Sequence, residues 1–94
     1  MAEKRTFEAL RKMILLNLAS GQKTVNQIAK ETRINWKTVD NHLTYLIGKR
    51  LVTEIFSSEY VRIVELSDQG EKHVRRIKPE VKIMKNRKAV LRMV

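Results

Sequence analysis

Two helix-start signals, Thr24 with Gln27 three residues on and then Asn35, sit so close together that the chain between them has little freedom. Thr24-Val25-Asn26-Gln27 is a capping box, in which the Thr hydroxyl and the Gln side chain each satisfy an orphan backbone N–H. Asn35 is a second N-cap, so the helix begun at Thr24 has to stop near Thr32-Arg33. Two short helices joined by so tight a turn form a helix-turn-helix unit. Val25, Ile28 and Ala29 make the inner face of the first of the pair. In the second, over 35–49, Val39, Leu43 and Leu46 share one side, while Lys37, Asn41, Thr44 and Tyr45 project from the other.

The flanking sequence supplies what that unit needs to bury its inner faces. Upstream, Thr6 starts a helix that runs to about Ser20 and is closed by Gly21. Phe7, Leu10, Ile14 and Leu18 form its buried stripe, with Met13 and Leu16 left over as a surplus apolar surface. Downstream the period changes to that of strands. Residues 51–56 and 60–66 are rich in β-branched and aromatic side chains and are joined by the polar Ser57-Ser58-Glu59, which reads as a β-hairpin. Ser67 then caps a last helix. Val74, Ile77, Val81, Met84 and Leu91 keep a near-heptad phase across Pro79, which predicts one bent helix or two abutting ones. The fold class is mainly α with a small β-hairpin.

Ninety-four residues suffice for one modest core. The net charge is +10, from 20 Lys+Arg against 10 Asp+Glu, a field that favours polyanions, of which nucleic acid is the commonest. Residues 71–94 alone hold nine bases and two acids. The absence of cysteine removes disulfides, thiolate metal sites and cysteine nucleophiles. No apolar run approaches the ~20 residues of a membrane span, and the charged first dozen residues do not read as a signal peptide. A cytoplasmic location is the expectation. No His/Asp/Glu cluster has metal-ligand spacing and no order of Ser, His and Asp suggests a triad, so neither enzyme activity, a metal nor a cofactor is expected.

The order helix, helix-turn-helix, β-hairpin, helix resembles the winged-helix regulators of the ArsR and MarR kind. The resemblance rests on Ile14-Leu15 and Leu18, Ile28-Ala29, the run from Ile34 to Leu43, Leu46, Leu51-Val52, and Val64 to Gly70. It implies a winged helix-turn-helix domain over 1–78, with 79–94 as a basic C-terminal helical extension. It also implies sequence-specific binding to double-stranded DNA by a homodimer paired through its first and last helices, acting in transcription. The sequence departs from the family where glycine is frequent, in the turn and before the wing. Here those positions are Arg33 and Arg50, which would carry a steric cost in the left-handed region. ArsR-type metal sensing does not carry over without its cysteines.

On that reading the helix 35–49 enters the major groove and the wing, about 56–61, lies on the backbone or minor groove. Asn41 suits a bidentate pair with adenine, and Lys37 suits guanine or a phosphate. Thr38, Thr44 and Tyr45 are placed for the backbone or a thymine methyl. Trp36 either packs on a sugar or seals the edge of the core. Lys23 and Thr24 can hold phosphate at a helix N-terminus. Ser58 at the wing tip and Arg62 beside it complete the expected DNA-binding set. Asp40 either assists its helix N-terminus or accepts from a cytosine, His42 is a packed histidine, and His73 is solitary. The competing readings are a winged-helix module for protein partners and a non-specific, chromatin-type DNA binder.

Overall fold

The computed structural model describes residues 6–84. Four α-helices and a three-stranded antiparallel sheet follow one another as α1 (Phe7–Asn17), a 3-10 turn (Leu18–Ser20), β1 (Lys23–Thr24), α2 (Val25–Thr32), α3 (Trp36–Gly48), β2 (Val52–Ser57), β3 (Arg62–Leu66) and α4 (Asp68–Ile77). The helix starts are those the caps specify. Thr6 accepts from the Ala9 amide, Thr24 and Gln27 close the reciprocal box, Asn35 accepts from the Lys37 amide at 2.9 Å, and Ser67 accepts from the Gly70 amide at 3.0 Å.

Both arginines at the family's glycine positions adopt the left-handed conformation. Arg33 ends α2 at φ 61° and Arg50 follows α3 at φ 64°. At the second, the Leu51 amide donates to the Leu46 carbonyl and the Arg50 amide to that of Ile47, the double closure of a Schellman motif. The helix-ending geometry therefore survives without glycine, at the cost of a Cβ in a crowded region.

Ile14, Leu15 and Leu18 of the first segment, Val25 and Ile28 of α2, Val39, Leu43 and Leu46 of α3, Val52, Val64 and Leu66 of the sheet and Val74 of α4 make one core, each at most 8% exposed. Met13 and Leu16 are half-buried and packed against it, so most of the surplus on α1 is absorbed internally. Phe7, at the head of the stripe, stays 66% exposed.

Three features differ from the sequence expectation. The sheet has a third strand, β1, so the order is β1-β3-β2 with Lys23 opposite Val64. The hairpin carries a bulge at Ile55, because Glu54 pairs with Val64 while Phe56 already pairs with Ile63. The last helix does not continue through Pro79. It ends at Ile77, and Lys78 takes φ −143° and ψ 88°, because the proline ring disfavours the helical region for the residue before it. Residues 78–84 return non-helically along the domain: Val81 and Ile83 pack on the core, and the Met84 amide donates to the Ala19 carbonyl at 2.7 Å. The expected helix at 85–94, Leu91 included, lies outside the described residues.

Candidate nucleic-acid interface

The placement of Val39, Leu43 and Leu46 in the core fixes the rotation of α3, and with it which residues face outward. Trp36, Lys37, Asn41, Thr44 and Tyr45 are exposed, with Thr38 half-buried at the margin. Trp36, 58% exposed, does not seal the core. The Asn35 cap leaves the Lys37 side chain outward, and the Thr44 hydroxyl donates back to the Asp40 carbonyl at 3.2 Å.

Behind this ridge, α1 braces α3. Arg11 donates through Nε to Nδ1 of His42 at 3.2 Å and lays its guanidinium over the Tyr45 ring, 3.6 Å from the centroid. Phe7 meets His42 edge-on at 5.1 Å. His42 is buried, and burial first, then the charge of Arg11, lowers its pKa below the ordinary histidine value. Because Nδ1 accepts a hydrogen bond, the neutral ring carries its proton on Nε2. The unfolded chain therefore binds more protons than the folded one over the interval between the lowered pKa and about 6.5. Stability should hold above that interval and decline as pH falls through it. Urea midpoints at pH 7.5 and 5 read this directly, and the drop should be smaller in His42→Phe; an equal drop in both would assign it to other groups.

The remaining expected residues sit differently from one another. Thr24 spends its hydroxyl on the α2 cap. Lys23, opposite Val64 on β1, forms an ion pair with Glu31, which also accepts from Asn17 at 3.0 Å. Hydrogen bonds from Lys23 and then Asn17 hold the Glu31 carboxyl below its usual pKa. Ser58 organises the wing turn: its Oγ accepts from the amides of Tyr60 and Val61, and its own amide donates to the Val61 carbonyl at 2.8 Å.

Arg62 is turned inward. Its Nη1 donates to Asp40 Oδ1 at 2.6 Å and to the Asp40 carbonyl at 3.3 Å, and its Nε donates to Glu54 Oε2 at 2.8 Å. The side chain is 18% exposed. Burial opposes its charge, but the carboxylates of Asp40 and Glu54 outweigh burial and raise its pKa. The guanidinium expected beside phosphates thus joins the wing to α3. Strand alternation puts Arg62 in register with the buried Val64 and Leu66, but its pairing with Asp40, 22 residues away, is not announced by any local pattern. What the sequence does contain is its consequence: residues 52–61 include Glu54 and Glu59 and not one Lys or Arg. A cleft of about 670 Å³ separates the wing from α2 and α3, with Trp36, Asp40, Glu54, Tyr60 and Arg62 among its walls.

Residues 9–54 match the family model of the bacterial regulatory proteins of the arsR family, from α1 into β2. The chain carries an ArsR-type helix-turn-helix. With the hairpin behind it, this is a winged-helix DNA-binding domain of a transcriptional regulator, and the family whose model it matches binds double-stranded DNA and is not an enzyme family. No curated protein matches the chain. Among the described residues no three His, Cys, Asp or Glu side chains are grouped to hold a metal ion, and no helix is long and apolar enough to cross a membrane.

Proposed function

We propose that this ArsR-type regulator binds a roughly palindromic duplex as a homodimer, each protomer placing α3 in the major groove, with half-sites about one helical turn apart. The observation that carries this reading is the bare outer face of α3, an uncharged-polar and cationic ridge left uncovered by the described part of the protein. Asn41 reads adenine, and Lys37 takes guanine or an adjoining phosphate. Trp36 packs against sugar, while Thr38, Thr44 and Tyr45 reach backbone or a thymine methyl. Lys23 and Thr24 lie along the backbone, with Ser58 at the wing tip. Arg62 acts as a positioning residue that holds the wing at a set angle to α3.

The dimer forms through α1 and the inner side of α4. A second cleft there, about 830 Å³, is lined by Phe7, Leu15, Leu46, Leu51 and Ile77. Burying Phe7 and this apolar wall removes surface that a monomer leaves in water. The functional domain covers 1–78, and the stretch that follows begins as a strap across Ala19.

Selection of bound duplexes from a random pool tests the proposal. A two-fold symmetric enriched site supports it, and an asymmetric or featureless pool defeats it. In the enriched site, Asn41→Ala should relax base choice at one position per half-site and cost about 1–3 kcal/mol per contact in binding. Uniform weakening on all sequences would instead make Asn41 a backbone contact.

A further inference from the structure

The wing has the wrong sign for a phosphate clamp. In a chain of net charge +10, residues 52–61 carry two carboxylates and no base, and the arginine that follows is neutralised by Asp40 and Glu54. The wing is also where apolar surface collects. Ile55, Phe56, Tyr60 and Val61 are 43%, 52%, 85% and 41% exposed, and Tyr60 and Val61 share a cleft with Trp36 of α3. The bulge at Ile55 turns consecutive apolar side chains outward on the edge strand. Contiguous exposed apolar surface rimmed by charge marks a contact with protein.

We propose that the wing docks onto the outer face of α4 of a neighbouring copy of the same chain. Charge selects this occupant. Lys72 and Arg76 stand together, exposed, on α4, with Arg75 beside Glu71 and Lys78 just beyond, offering cations to Glu59, whereas Glu54 is already paired with Arg62. A wing-to-wing contact would instead bring two Glu59 carboxylates together with no cation between them, so the symmetric pairing is disfavoured. A contact between unlike faces does not close on itself when copies lie in a row, and it extends from one to the next. This deepens the DNA reading and rests on it: adjacent dimers on a duplex would load cooperatively, wing against α4.

Titration of the full-length chain on a duplex with one selected site, and on one with two adjacent sites, tests the proposal. The second site should fill about tenfold more tightly than the first. Glu59→Lys should abolish that gain with single-site affinity no weaker than the parent's. Adding Arg76→Glu to Glu59→Lys should restore it, because each contact then pairs the reversed charges. Independent filling by the parent chain, or cooperativity that survives Glu59→Lys, would overturn the proposal. Loss of single-site binding by the parent would refute the DNA reading instead. Sedimentation equilibrium of the same three chains without DNA reads the contact separately: salt-sensitive association beyond the dimer, lost and then restored across the series, supports it, and identical behaviour of all three overturns it.

Discussion

Raising salt from 50 to 200 mM should weaken duplex binding by ~10³–10⁵-fold, if the dimer neutralises ~6–10 phosphates. The effect comes from release of condensed counterions, so the logarithm of the binding constant should fall linearly with the logarithm of salt, by about 0.9 per phosphate contact. The structure narrows which side chains carry that slope. Residues 52–61 hold no base, Arg62 is occupied by Asp40 and Glu54, and Lys23 is shared with Glu31. Lys30, Arg33 and Lys37, all exposed around the helix-turn-helix, remain available there. Lys37→Ala should lower the slope by about two in a dimer, one contact per protomer, while Ser58→Ala should leave it unchanged. Anisotropy titrations at four or five salt concentrations suffice. A slope near zero would remove nucleic acid as the ligand, and an unchanged slope in Lys37→Ala would move that lysine away from phosphate.

Gly70→Ala should cost about 3 kcal/mol of stability, near the top of the range for overpacking a core. A Cβ built at Gly70 would lie 1.9 Å from the Leu51 carbonyl oxygen and 3.0 Å from its carbon. The obstructing atoms are backbone and cannot swing aside. They are also held in place: the Leu51 carbonyl accepts from the Ser67 amide at 3.1 Å, and the Leu51 amide closes the end of α3. Relief of the clash would pull the start of α4 off the wing base and loosen Val74 and Leu66 from the core. For a domain this small, such a loss lowers Tm by about 12–24 °C. A melting curve within a few degrees of the parent would mean that the α3–β2 junction yields more readily than its hydrogen bonds suggest.

The difference between Gly70 and the two arginines shows where local reading reaches its limit. Arg33 and Arg50 occupy positions where glycine is favoured for backbone reasons, and a side chain there costs only local strain. Gly70 sits in ordinary helical conformation, and its constraint comes from Leu51, nineteen residues earlier in the chain. A motif can place a glycine in sequence, but it cannot reveal which distant carbonyl presses against it. The same distinction separates the outer face of α3, legible from helical phase, from the fates of Arg62 and Lys23. Those two cations read from sequence as phosphate contacts alone, and only the fold shows the ion pairs that Arg62 makes with Asp40 and Glu54 and Lys23 makes with Glu31. The end of α4 failed to follow for another reason. The apolar phase across Pro79 is equally compatible with a bent helix and with a strap whose Val81 and Ile83 pack as separate anchors. The backbone preference of Lys78 before proline decides for the strap.

Capping chemistry and hydrophobic phase act over a few residues, so the chain alone determined where the four helices begin, which of their sides are buried, and that residues 35–49 turn a polar ridge to solvent. Partners separated by many residues meet only after the core has formed. Tertiary structure therefore decided the third strand, the bracing of His42 and Tyr45 by Arg11, and the charge left on the wing. Packing and ion pairing set the net field at each surface, and pairs such as Asp40 with Arg62, 22 residues apart, meet only through the fold.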